Sequence, residues 1–159
     1  MSATGAARRL RVGLTALLLM SLTGCGLSFP SDPNGTLSVA AGAELRIGIT
    51  AEPGLAEPGI APSGPLPDLA RAYAASINAS PDWKVGGEET LVQELEDGSL
   101  DIAFGNFSED SPWLDRAALS RPFTVKGAQS GELVALMPLG ENALLANFES
   151  FIDANGIAR

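Results

Sequence analysis

The chain has 159 residues, of which 10 are basic and 19 acidic, and its net charge is −9. This balance excludes nucleic acid as a partner, because a protein that neutralises phosphates needs a basic face. The chain holds no histidine and one cysteine, which excludes histidine acid–base catalysis, histidine or cysteine metal sites and an intramolecular disulfide. Hydrophobic residues make up 45% of the chain, which is enough for a packed core and too many for a disordered acidic tail.

The N-terminus has the pattern of an export signal. Three arginines within residues 8–11 precede an apolar run over residues 12–19, which is too short to span a bilayer. Residues 22–25, Leu-Thr-Gly-Cys, resemble the lipobox of bacterial lipoproteins, in which the cysteine thiol receives a diacylglyceryl group. The resemblance implies that residues 1–24 are removed as a signal peptide and that Cys25 becomes a lipidated N-terminus.

Lipidation of Cys25 defines where the protein is expected to act. One acyl chain holds a protein only marginally on a bilayer, whereas two or more, such as palmitate chains, hold it stably. We therefore predict a lipoprotein anchored to the cell membrane on its extracytoplasmic face, periplasmic or outer, without crossing it. Residues 25–43 are rich in Gly, Ser, Pro and Ala and predict a flexible tether. Residues 44–159 are predicted to form a single acidic domain.

Strand and helix patterns alternate along the predicted domain. Residues 45–50 alternate apolar and polar side chains and predict the first strand. Five prolines within residues 52–67 predict an extended loop. The remaining predicted elements are, in chain order, a helix from Leu66 to Ile77, a strand over 82–85, a helix over 88–96, a strand over 101–105, a helix starting at Ser111-Pro112, a strand over 133–137 and a helix from Asn142. This alternation predicts a small three-layer α/β/α domain with a mostly parallel sheet.

Four segments stand in a characteristic order along this domain. They are the first strand at 45–50, Gly-Pro-Leu-Pro-Asp-Leu-Ala-Arg-Ala at 64–72, Leu-Glu-Asp-Gly-Ser-Leu-Asp-Ile-Ala at 95–103, and Leu-Ser-Arg-Pro-Phe at 119–123. Together they resemble the bacterial extracellular solute-binding proteins of the polar amino-acid type, which are the receptors of ABC importers. Residues 132–145 are similar to the segment that returns to the first lobe of that family. The resemblance covers residues 45–156 and implies the fold of one lobe of a periplasmic binding protein.

The second lobe of that family has no counterpart in the sequence. Family members bind solute between two lobes of about 100 residues each, whereas only residues 126–131 separate the two halves of lobe one here. The resemblance therefore implies a half-site open to water, which forfeits most of the burial that a pocket provides. A truncated product of a two-lobed protein is the alternative. We expect a complete single lobe instead, because the helix that closes lobe one is present and ends at Asn155-Gly156.

The resemblance places a candidate ligand site at the carboxyl end of the third strand. Asn106 and Ser108 fall where the family presents hydrogen-bonding groups, at the usual ligand crevice of an open α/β sheet. Trp113 stands where the family has an arginine that clamps a substrate carboxylate. Arg116 lies one turn further on and either substitutes for that arginine or is a solvated helix residue. The candidate ligand-binding residues are therefore Asn106, Ser108, Trp113 and Arg116.

Acidic side chains cluster in two places, and each cluster has two interpretations. Glu109, Asp110 and Asp115 have the chemistry of a hard-cation site, but acids at a helix start more often complement its dipole. We therefore predict no metal site and no cofactor. The acids of residues 88–97 provide either a face for a basic partner or a solvated helix surface, and we favour the solvated surface.

The sequence contains no motif that positions a nucleophile, acid or base, so we predict that the protein is not an enzyme. The first hypothesis is a solute-binding-protein-like lipoprotein that acts as an accessory or recognition subunit of a transport system. Its partners would be an integral membrane transporter and a small polar solute. The alternative is a protein-interaction or structural module that has lost solute binding. An exposed apolar patch around Trp113 and Phe107 would favour the alternative, and a concave polar notch would favour solute binding.

Overall fold

The computed structural model describes residues 32–125 and 131–158. The predicted signal peptide, Cys25 and the start of the predicted tether lie outside these residues. None of the helices in the described ranges combines the length and the apolarity that a bilayer span requires. The elements are helix α1 (Thr36–Ala40), strand β1 (Glu44–Ile49), helix α2 (Pro65–Ser76), strand β2 (Ser80–Val85), helix α3 (Glu88–Glu96), strands β3 (Ile102–Phe104), β4 (Ala118–Leu119) and β5 (Leu136–Met137), and helix α4 (Asn142–Ala154).

The strands form one five-stranded sheet in the order β2-β1-β3-β5-β4. β1 pairs in parallel with β2 and β3, whereas β5 runs antiparallel to β3 and to β4. Four strands therefore point the same way, and the carboxyl ends of β1, β2 and β3 lie along one edge of the sheet. The predicted α/β class with a mostly parallel sheet is confirmed.

Helices cover both faces of the sheet. Leu45, Ile47 and Ile49 of β1 point to one face and join the apolar cluster under α2 and α4. The other face packs on α3, and Gly48 allows the close approach of the two layers. A Cβ at Gly48 would lie 2.5 Å from Leu100 Cδ2, a distance at which a neighbour must shift. The sheet and the helices on its two faces are the three predicted layers, and alternate residues of β1 contact the helices on opposite faces.

The predicted flexible tether is in fact folded from Asp32 onward. Thr36–Ala40 forms a five-residue helix, and Ala40 belongs to the main apolar cluster. The backbone N–H groups of Asn34 and Thr36 donate to the carboxylate of Glu141 at 3.0 and 3.2 Å. The acceptor that holds this segment lies more than 100 residues away in the chain, so the local composition of the segment does not reveal the contact.

The helix predicted to start at Ser111-Pro112 does not form, and the chain makes consecutive turns over residues 112–116 instead. The N–H groups of Arg116 and Ala117 both donate to the carbonyl of Trp113, at 2.9 and 2.8 Å. Ala117 is buried and β4 begins at the next residue, so the chain has room for little more than one turn. In α4, Asn142 is the first helical residue and not the cap.

Candidate ligand-binding edge

The carboxyl ends of three neighbouring strands create the candidate site. We call residues 50–52, 86–88 and 105–108 the carboxyl edge, because they follow β1, β2 and β3 respectively. An edge of this kind is where open α/β sheets bind ligands. The structure places Asn106 and Ser108 on this edge, and both residues are exposed to solvent.

The floor of the carboxyl edge is tightly packed. A Cβ on Gly105 would lie 2.5 Å from Thr50 Oγ1 and 3.0 Å from the ring of Phe107, and Phe107 is only 2% exposed. The hydroxyls of Thr50 and Ser111 are buried without a hydrogen-bond partner among the described residues. The loss of their hydrogen bonds to water is therefore not offset by a hydrogen bond within the protein. Phe107 therefore belongs to the core and does not join Trp113 in an exposed apolar patch.

Trp113 lies against the first turn of α3. Its Nε1 donates a hydrogen bond to Glu88 Oε2 at 3.1 Å, and its half-buried ring packs against the apolar cluster under α3. The position that the resemblance assigns to a carboxylate-clamping cation is thus filled by a neutral donor. That donor is already bound to a carboxylate of the protein.

Acceptors from α3 surround the guanidinium of Arg116. Two of its N–H groups donate to the carboxylate of Glu96 at 2.6 and 3.0 Å, and a third donates to Glu89 Oε1 at 2.7 Å. The guanidinium also lies over the ring of Trp113, 5.5 Å from its centroid. The hydrogen bond from Arg116 lowers the pKa of Glu96, and the bonds to Glu96 and Glu89 raise the pKa of Arg116. The guanidinium proposed to bind a solute carboxylate is therefore already bound to carboxylates of the protein.

The structure brings two of the four candidate residues together and leaves the other two apart from them. Trp113 and Arg116 form one unit on the flank of α3, whereas Asn106 and Ser108 lie on the loop after β3. The sequence pattern favours a solvated surface for the acids of α3. Four of them are instead partners of other side chains, as Glu88 binds Trp113, Glu89 and Glu96 bind Arg116, and Glu94 binds Lys84 at 2.9 Å.

These pairings leave the carboxyl edge acidic. Glu52 and Glu88 belong to it, and Glu109 and Asp110 follow directly and are exposed. Within residues 32–125 and 131–158, no group of three or more acidic or cysteine side chains is arranged to hold a metal ion. The edge therefore has the chemistry to attract a solute with a cationic group.

An ion pair between the half-exposed Arg46 and the buried Asp101 lies at the opposite end of the sheet, and neither residue is among the four candidates. Asp101 is 3% exposed, and it accepts hydrogen bonds from the guanidinium of Arg46 and from the Arg46 backbone N–H at 2.8 Å. The Arg46 guanidinium also donates to the carbonyl of Gly98 at 2.6 Å. These contacts join the start of β1 to the start of β3. In the sequence, Asp101 is the acid of the Leu-Asp-Ile stretch and stands directly before a buried strand. This position is the signal that could have identified it.

Comparison with known proteins shows the fold. No family model and no curated protein sequence matches the chain. Among solved structures, it matches an arginine-bound point mutant of domain 1 of TmArgBP, from T. maritima, with 18% identity and a TM-score of 0.64, over 77% of this chain and 97% of that one. The arginine-bound domain 1 also matches, with 16% identity and a TM-score of 0.61, over 70% and 92% of the two chains. The chain therefore has the fold of one lobe of a periplasmic binding protein, as predicted.

Proposed function

We propose that this protein is a lipid-anchored, non-catalytic, single-lobe solute-binding protein that serves as a recognition subunit of a transport system. Cys25 anchors it on the extracytoplasmic face of the cell membrane. The carboxyl edge binds a small polar solute, and an integral membrane transporter is the partner that receives it.

The single-lobe fold is the observation that carries this proposal. The chain spans 97% and 92% of two domain-1 structures of TmArgBP, both of them arginine-bound forms. A single domain of this fold therefore holds a solute without its second lobe. By analogy, the open half-site of this chain is sufficient for recognition, although an open edge buries less of the solute than a closed pocket does.

The charges of the carboxyl edge define the solute class. Arg116 is held by Glu89 and Glu96 at 2.7 and 2.6 Å. Its guanidinium is therefore already paired and is not available to bind the carboxylate of a solute. Glu52 at the edge and the exposed Glu109 beyond it complement an ammonium or guanidinium group instead. The amide of Asn106 and the hydroxyl of Ser108, both exposed on the loop after β3, supply neutral hydrogen-bonding groups. A cationic amino acid such as arginine fits this arrangement best.

Calorimetric titration of the purified protein with arginine, lysine, glutamine and glutamate tests the proposal. We expect saturable binding of the cationic amino acids, weakened at least tenfold by Asn106→Ala or by Ser108→Ala. The matched control is Ser99→Ala, an exposed serine between α3 and β3 at the opposite end of the strands, which leaves binding unchanged. No heat from any solute, with a monomer in sedimentation, would refute solute recognition. Trp113→Ala then shows whether the unit that holds Arg116 takes part.

A protein-interaction or structural module is the second candidate. Leu114, beside Trp113, is 61% exposed, and an exposed leucine next to an aromatic residue is suited to contact with another protein. In that case no solute binds, and Leu114→Ser abolishes association with a protein partner isolated from the membrane while the thermal transition is unchanged.

A further inference from the structure

A cavity of about 630 Å³ opens at the end of the sheet opposite the carboxyl edge. We call it the entry cavity. Its walls include Val39 of α1, Arg46 of β1, the end of α3 with Glu96, the candidate residue Arg116, and Leu139 after β5. Val39 is 68% exposed and Leu139 is 55% exposed, whereas Arg46 is held by Asp101. Two large apolar side chains therefore border a concave surface in which both guanidinium groups, of Arg46 and Arg116, are already paired with carboxylates.

The chain enters the fold at the rim of this cavity. Asn34 lines the cavity, and the ring of Pro33 packs over the turn between β5 and α4, where its Cγ lies 3.7 Å from the position of a Cβ on Gly140. Glu141 fixes the approach by accepting the Asn34 N–H at 3.0 Å. Asn34, two residues after the start of the described chain, therefore belongs to the same cavity wall as the two exposed apolar side chains.

The residues before Asp32 carry the matching chemistry. Residues 26–31 read Gly-Leu-Ser-Phe-Pro-Ser, so Leu27 and Phe29 are two large apolar side chains in a segment that is otherwise polar or small. Phe29 stands three residues before Asp32, within about 10 Å of fully extended chain. Burial of apolar side chains against an exposed apolar border is favourable. We infer that Leu27 and Phe29 fold back into the entry cavity and cover Val39 and Leu139.

Docking of residues 27–29 would set the orientation of the domain on the membrane, and it goes beyond the proposed solute-binding role. The chain between Cys25 and Leu27 is too short to let the domain drift from the lipid surface. The entry cavity would then face the bilayer, and the carboxyl edge, at the other end of the parallel strands, would face away from it.

Disulfide trapping tests the inference. In the full chain held in detergent, Cys25→Ala leaves the introduced cysteines as the only thiols. The test pair is Phe29→Cys with Val39→Cys, and the matched control is Phe29→Cys with Ser38→Cys. Ser38 has the same reach from Asp32 as its neighbour Val39 but does not line the cavity.

We expect the test pair to form an intramolecular disulfide at least tenfold faster than the control pair, and Leu27→Ser to reduce that ratio. Equal rates for the two pairs would overturn the inference, because an undocked segment meets both positions equally often. A disulfide between two chains would also overturn it, since a second copy would then be the occupant. Val39 and Ser38 are both exposed, and thermal melts confirm that each variant is folded.

Discussion

Replacement of Asp32 by asparagine is expected to remove a pH dependence of stability that originates in one carboxyl pair. The side chain of Asp32 lies next to that of Glu141, and its Oδ1 is buried without a hydrogen-bond partner among the described residues. Glu141 is 1% exposed and accepts the backbone N–H groups of Asn34 and Thr36. Two carboxyls in this setting share a proton more readily than they ionise together.

The sign of the effect follows from the direction of each pKa shift. Burial, then the hydrogen bond to Glu141 and its charge, raises the pKa of Asp32 from 3.8 to about 6. Burial alone would raise the pKa of Glu141 too, but hydrogen bonds from Asp32, Thr36 and Asn34 hold it below its ordinary value. The folded state therefore holds the Asp32 proton more tightly than the unfolded chain does. Protonated Asp32 stabilises the fold below about pH 4, and this contribution is lost as the pH rises through 6.

The expected magnitude is modest because Asp32 is only half-buried. At about 1.4 kcal/mol for each pH unit between the folded and unfolded pKa, the ceiling is about 3 kcal/mol. Contact with solvent screens the carboxyl, so we expect about 1 kcal/mol. The amide introduced by Asp32→Asn donates to Glu141 at every pH, and the variant should therefore be more stable than the wild type above pH 7 and no more stable at pH 4.

Urea denaturation followed by tryptophan fluorescence between pH 4 and pH 8 measures this difference. Asp110→Asn, which removes an exposed carboxylate outside this pair, is the matched control for the loss of one negative charge. A difference for Asp32→Asn that is constant from pH 4 to pH 8 would refute the reasoning, because the carboxyl would then titrate alike in the folded and unfolded chains.

Two further substitutions test the packing at the start of the sheet. Asp101→Asn removes the carboxylate that Arg46 binds and should lower the free energy of unfolding by about 2 kcal/mol, with a smaller loss at high salt. Gly48→Ala places a methyl group 2.5 Å from Leu100 Cδ2 and should cost about 2 kcal/mol through overpacking. Both are checked by urea denaturation, and an unchanged midpoint for Gly48→Ala would mean that Leu100 moves away from β1 without cost.

Periodicity predicted the central elements because their residues are placed by local patterns. The apolar residues of β1 alternate, and those of α3 recur at helical spacing, so the predicted helix over 88–96 has the same bounds as the structure. Helix α1 gave no such signal, since five residues are too few for a helical period. It is held by the carboxylate of Glu141, which lies far along the chain.

The candidate site was less accessible to sequence reasoning than the fold. Arg116 was a plausible clamp as long as only its neighbours in the sequence were considered. Its partners Glu89 and Glu96 lie 27 and 20 residues earlier and meet it only because α3 packs beside the turn at 112–116. The packing of α3 beside this turn also brings the indole of Trp113 to Glu88. Side-chain pairs between distant segments decide whether a charged group is free to bind a solute, and no local pattern records them.

An open, acidic edge has a consequence for the kind of recognition this lobe can perform. Closed pockets cover about 70–90% of a ligand, whereas a solute on the carboxyl edge would be covered on one side only. Much of the apolar and hydrogen-bonding contribution of the second wall is missing, so affinity must come largely from charge complementarity with carboxylates such as Glu52. Such binding is weakened by salt and releases its solute quickly. In the role proposed above, a subunit that passes its solute to a neighbouring transporter would need rapid release more than high affinity, and a single lobe would meet that requirement without the hinge motion of a two-lobed receptor.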